Sequence, residues 1–87
     1  MLWYYRLKEQ KGTELTIEYS YDEKDLTGII KIDLAKKEGT IIKPYIMEGD
    51  SDSLGEYMGR KLIAKLLVRE EYRERMDNGK TGMIACG

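Results

Sequence analysis

Seven positions past the middle of the chain, Gly55, Met58, Gly59, Leu62, Ile63, Leu66 and Leu67, recur at i, i+3, i+4, i+7, i+8, i+11 and i+12. That repeat keeps one stripe of an α-helix turned toward a core. A strand cannot use it, because strand side chains change sides at every residue. The chain must therefore lay an amphipathic helix against some other apolar surface.

Upstream the period falls from 3.6 to 2. Residues 3–8 put Trp3, Tyr5 and Leu7 on one side; residues 14–21 do the same with Leu15, Ile17, Tyr19 and Tyr21; residues 26–34 set Gly28, Ile30, Ile32 and Leu34 against Ile29, Lys31 and Asp33. Glu9-Gln10-Lys11-Gly12-Thr13 and Asp22-Glu23-Lys24-Asp25 separate these runs as polar turns. A fourth strand is expected over residues 41–47, on a sheet edge or with a bulge, because Pro44 has no N–H to give a ladder. The turn before it echoes the first, with Leu34, Gly39 and Thr40 spaced like Leu7, Gly12 and Thr13. Either two turns of equal length selected the same residues for the same backbone reasons, or a hairpin was duplicated.

The expected fold is α+β: a four-stranded antiparallel sheet of two hairpins, most simply in order 1-2-3-4 or otherwise two hairpins joined differently, with one C-terminal helix on one face. Trp3, Tyr5, Leu7, Leu15, Ile17, Tyr19, Ile30, Ile32 and Leu34 should face the helix. The helix should begin after the loop of residues 48–53, where Ser53 and Glu56 have capping-box spacing. Each glycine on its stripe costs up to about 1 kcal/mol relative to alanine, so the helix backbone should approach the sheet closely there. Helical composition runs on to Met76, and Asp77-Asn78-Gly79 reads as a stop. Residues 1–79 make one domain; residues 80–87 are a glycine-punctuated tail, flexible or adding a short strand through Met83-Ile84-Ala85-Cys86.

A second apolar stripe, Tyr57, Ala64, Val68, Tyr72 and Met76, lies largely opposite the first. A straight helix over residues 53–76 would run about 35 Å against roughly 23 Å of seven-residue strand, so its last turns should overhang the sheet. Those five residues are the candidate surface for a protein partner or a homodimer. A kink near Val68 would instead fold the second half back onto the sheet edge or tail.

Chemistry is sparse. With no histidine, and with Cys86 as the only cysteine, histidine acid/base catalysis and Cys-His nucleophilic catalysis within one chain are excluded. No enzyme activity is expected, and no cofactor. Asp50-Ser51-Asp52-Ser53-Leu54-Gly55 opens like a calcium loop, but Leu54 at the fifth position and Lys61 at the twelfth fail as ligands, and helix capping explains the acidic cluster. Gly55-Glu56-Tyr57-Met58-Gly59 lacks a phosphate-loop fingerprint.

Fifteen basic and sixteen acidic side chains give a net charge of -1, so any attraction to polyphosphate has to be local. The alternative candidate is a nucleic-acid contact on the open sheet face through Tyr4, Arg6, Lys8, Lys31 and Lys43, with Tyr45 nearby, or on the basic side of the helix; Glu14, Glu18 and Asp33 share the sheet face. A small-molecule binder using the tyrosines would need a pocket between helix and sheet. The N-terminus lacks a signal peptide's apolar run, no stretch reaches the roughly 18 apolar residues of a membrane span, and a lone cysteine suits a reducing cytoplasm. The expected function is a non-catalytic protein-interaction or accessory module in the cytoplasm.

Overall fold

The computed structural model describes residues 2–46 and 53–85. Five strands, β1 (Leu2–Lys11), β2 (Glu14–Ser20), β3 (Gly28–Asp33), β4 (Glu38–Lys43) and β5 (Thr81–Ala85), form one antiparallel sheet in the order β4-β3-β2-β1-β5. The first four are consecutive neighbours, the simpler of the two expected orders, and the fifth adds to the free side of β1. Two helices follow the fourth strand: α1 (Ser53–Val68) and the short α2 (Glu70–Glu74), with a 3₁₀ turn at Asp77–Gly79 leading into β5. The α+β class is the one the two periodicities demanded.

The first hairpin closes on Gly12-Thr13, with Gly12 at φ +60, where a two-residue turn needs a residue free to take positive φ. The second hairpin does not repeat it. Its positive φ falls on Lys37 (φ 54), and Gly39 sits inside β4 opposite Ile32. β4 therefore starts at Glu38, three residues earlier than the turn analogy suggests. Gly39 serves packing instead, since a Cβ there would lie 2.4 Å from Ile63 Cγ2 on α1. The two turns are tied together: the Thr13 hydroxyl donates to Asp33 Oδ1 at 3.0 Å, and the Leu34 N–H donates to the Thr13 carbonyl at 2.9 Å. Asp33 also accepts the N–H groups of Ala35 and Lys36. The Lys36 N–H above all, then the Thr13 hydroxyl, hold its carboxyl below the usual carboxylate range.

The core is one layer between the sheet and the helices. Trp3, Tyr5, Leu15, Ile17, Tyr19, Ile30 and Ile32 are buried against Met58, Leu62 and Leu66, while Leu7 and Leu34 pack at its margin. The helical spacing of the stripe is thus the spacing of the packed face. A bulge between Leu7 and Glu9 in β1 and another between Ile29 and Ile30 opposite β4 are the two departures from regular register. Pro44 falls just past β4 on the sheet edge, the position its missing N–H allows. The loop over residues 48–52, the side chain of Ser53 with its capping box, the calcium-like opening at Asp50 and Asp52, and Cys86 lie outside the described residues.

The helix does not run straight to Met76. Arg69 takes an extended conformation (φ -117, ψ 112) between α1 and α2. Its N–H still bonds the Lys65 carbonyl at 2.9 Å, and the Arg73 guanidinium donates to the Leu66 carbonyl, so α1's last acceptors are satisfied by a cation at the negative end of the helix. The break solves a length problem: sixteen residues of α1 span about 24 Å, matching the sheet, and the following residues fold down instead of projecting. Met76 becomes 1% exposed, beside Leu7, Leu15 and Leu34. The Tyr5 hydroxyl donates to the Tyr72 carbonyl at 2.7 Å, fixing α2 over β1. From there the 3₁₀ turn, with Gly79 at φ +76, delivers residues 81–85 to the side of β1 as β5.

Candidate interaction surfaces

The helix stripe expected to be free is divided by the break. Tyr57, Ala64 and Val68 lie on the outer side of α1, with Val68 80% exposed. Tyr72 is half-buried, its ring held between the Arg75 guanidinium at 4.5 Å and the Lys65 ammonium at 5.4 Å, and Met76 belongs to the core. The overhang expected of Tyr72 and Met76 is therefore not formed. What remains outside is a row of single apolar side chains among charges, with the Lys61 ammonium 5.8 Å from the Tyr57 ring and Arg60 paired with Glu56.

The open sheet face carries the nucleic-acid candidates. Cross-strand register puts Arg6, Glu18, Ile29 and Lys43 in one row and Thr16, Lys31 and Thr40 in the next, with Tyr4 in the row of Ser20 and Met83. Arg6, Lys31 and Lys43 thus share the face, but Arg6 and Lys43 are separated by Glu18 and Ile29 on the two strands between them, and Lys8 stands apart at the β1 bulge. Tyr45 is not on this face: its ring meets Trp3 edge-on at 5.7 Å, because past Lys43 the chain turns toward α1. Carboxylates already occupy two of the cations, Arg6–Glu18 at 3.5 Å and Lys31–Glu14 at 3.0 Å. A phosphate would have to displace them, which removes most of the electrostatic gain on which such binding rests.

At the β1–β5 end of the same face the pairs beyond Arg6–Thr81 carry no charge, and the charged turn of Asp22, Glu23 and Lys24 borders them beside Tyr4. Leu2 and Met83 are 48% and 54% exposed, Ala85 is exposed and Tyr4 half-buried, all on one side by register. Sequence reasoning misses this corner because half of it comes from a segment that reads as a tail. The alternation of Met83 and Ala85 with Gly82 and Ile84 is its one available signal.

On the covered side, the junction of sheet and helix is closed by one buried hydroxyl. Tyr19 donates to the Gly55 carbonyl at 2.7 Å and accepts the Tyr45 N–H at 3.1 Å, so a side chain on β2 holds both the exit from β4 and the start of α1. Burial raises its pKa, and burial pushes Tyr5 up to about 12, so both phenols stay protonated donors in the ordinary range. Removing the hydroxyl with Tyr19→Phe leaves the part-buried Tyr45 N–H without its acceptor and takes one bond from the Gly55 carbonyl, which keeps its place in the α1 ladder. Stability should fall by about 1–3 kcal/mol, or roughly 5–20 °C in Tm for a domain of this size, read from the emission of Trp3, the only tryptophan.

Two shallow clefts open between helix and sheet: one beneath α2, lined by Leu7, Leu34, Arg73 and Met76 among others, of about 160 Å³, and one between β4 and α1, lined by Ile41, Glu56, Arg60 and Ile63 among others, of about 250 Å³; both fall below the roughly 300 Å³ where small-molecule sites begin. Among the described residues no His, Cys, Asp and Glu converge as a metal site, and no helix is long and apolar enough to cross a membrane. Compared with known proteins, the chain matches no family model, no curated protein and no solved structure.

Proposed function

We propose that this chain is a non-catalytic protein-interaction module that works through the β1–β5 end of its open sheet face, in the cytoplasm where a lone cysteine stays reduced. The observation that supports this reading is the change in character along one face. Most of it is charge-balanced and internally paired, with Arg6–Glu18 and Lys31–Glu14, while Leu2, Met83 and Ala85 expose apolar side chains in register around the half-buried Tyr4, with the charged turn of Asp22, Glu23 and Lys24 at the rim. Protein interfaces have this composition, a centre depleted of charge beside a polar rim. A nucleic acid would be drawn to the opposite end, where its phosphates would compete with carboxylates.

The test is site-specific photocrosslinking in cells, with the photoreactive residue at position 83 in one variant and at position 40, on the same face in β4, in another. Protein adducts should form from position 83 and be absent from position 40. Equal adducts from both positions, or none from position 83, would refute the assignment of the surface.

A further inference from the structure

The two edges of the sheet are built differently. The β4 edge carries Glu38 and Lys43, a bulge in its pairing with β3, and Pro44 immediately after it; these are the devices that keep one sheet from adding to another. Within its own residues the β5 strand has none of them. Thr81-Gly82-Met83-Ile84-Ala85 contains no charge and no proline, and its register with β1 is unbroken.

In an antiparallel ladder, residues alternate between those that bond the neighbour and those whose N–H and C=O point away. The Met83 carbonyl accepts Arg75 Nη1 at 3.1 Å, which places it on the outer side. Thr81 and Ala85, two residues to either side, share that orientation. The edge therefore offers the main-chain groups of Thr81, Met83 and Ala85, and among the described residues the Arg75 guanidinium is the group that bonds it. An exposed row of peptide donors and acceptors is complementary to an extended strand.

Resting on the reading above, we infer that the β5 edge is the pairing site for β5 of a second copy of this chain, in an antiparallel two-fold register centred on Met83, with Arg75 as a competitor that must swing away. In that register Met83 faces Met83 of the partner copy, Thr81 faces Ala85 and Gly82 faces Ile84, so no like charges meet and each outward peptide group gains a partner. Leu2, Met83 and Ala85 of the two copies become one apolar strip across the joined sheets. A foreign strand could use the same edge, but nothing charged in β5 would select it, whereas its own sequence is complementary throughout. Five residues a side bury less than the roughly 1,200–2,000 Å² of a stable standard interface, so the dimer is weak, with a Kd in the micromolar range.

Residue 83 meeting its own copy makes the register testable by charge exchange. Sedimentation velocity on the purified chain from about 1 µM to about 500 µM should show a monomer–dimer equilibrium. Met83→Lys and Met83→Glu, at a position already half exposed, should each weaken it at least tenfold, and an equimolar mixture of the two should restore association as a heterodimer. Arg75→Ala should strengthen the wild-type dimer several-fold by freeing the Met83 carbonyl. A wild type that stays monomeric throughout, or a mixture that associates no better than either variant alone, overturns the self-pairing. In that event, adducts from position 83 to a different protein would still uphold the interaction surface, and their absence would remove both.

Discussion

Replacing Gly55 with alanine should destabilise the protein by at least about 3 kcal/mol, at the top of the range for inserting one methyl group into a packed site. A Cβ at that position would lie 1.5 Å from the Tyr45 carbonyl oxygen and 2.6 Å from its carbon. Both are backbone atoms in the segment between β4 and α1, so no rotamer change relieves the clash; the start of the helix has to move off the sheet. Moving it also breaks the bond from the Tyr19 hydroxyl to the Gly55 carbonyl, which couples the steric cost to an unpaired buried group.

Two other glycines provide the scale. At Gly59 the same Cβ would meet the Tyr19 hydroxyl at 2.8 Å and the end of the Ile41 side chain at 3.1 Å, contacts that a side chain can partly concede. At Gly12 it would meet nothing, and alanine there suffers only the positive φ, about 1 kcal/mol. Urea unfolding followed by Trp3 emission should rank the alanine variants Gly55 worst, Gly59 next and Gly12 mildest. Total stability for 87 residues is of order 4–13 kcal/mol, so Gly55→Ala removes a large share of it. A Gly55→Ala variant within about 1 kcal/mol of Gly12→Ala would mean that α1 does not touch the β4 exit as described.

That close approach is legible in the residues alone, because two glycines on an otherwise apolar helical stripe make sense only where the backbone itself is the packing surface. The hairpins are legible for a similar reason, since short polar turns make the strands they join neighbours, but the residues leave the order in which the hairpins meet open between 1-2-3-4 and another joining, and the structure has the simpler one. The fourth strand's start is not, because a glycine near a turn suits both positive φ and a tight contact, and here Gly39 is placed for Ile63 while Lys37 takes the strained turn position. Tyr45 leaves the face that alternation predicts because a period of two cannot be carried past the proline that follows the strand. The open-face corner is half hidden by the tail: Met83-Ile84-Ala85-Cys86 reads equally as a short strand or a flexible end, and what decides between them is the free side of β1, a tertiary fact.

The second helix stripe fails for a geometric reason. Steps of i+4 do not stay on one face; each turns about 40° further round a helix of 3.6 residues per turn. Tyr57, Ala64 and Val68 are therefore on the outer side, but by Met76 the series has wound back toward the core face, and the break at Arg69 completes the return. Met76 fills the end of the core beside Leu7, Leu15 and Leu34, directly before the turn that feeds β5.

Met76→Ala should accordingly cost about 2–5 kcal/mol, the range for truncating a buried methionine, whereas Val68→Ala, at an 80% exposed position, should stay within about 0.5 kcal/mol. The effect should also be uneven in space. Loosening the Met76 contact frees the hinge between α2 and β5, so amide exchange should accelerate first at Gly82 and Ile84, which bond β1, and only later at Ile30 and Ile32 in the sheet interior. Equal costs for the two substitutions would return Met76 to the surface. A large cost with uniform acceleration across the sheet would keep Met76 in the core but make β5 part of the same cooperative unit, and an edge that opens only with the whole domain would have to recruit its partner strand already formed.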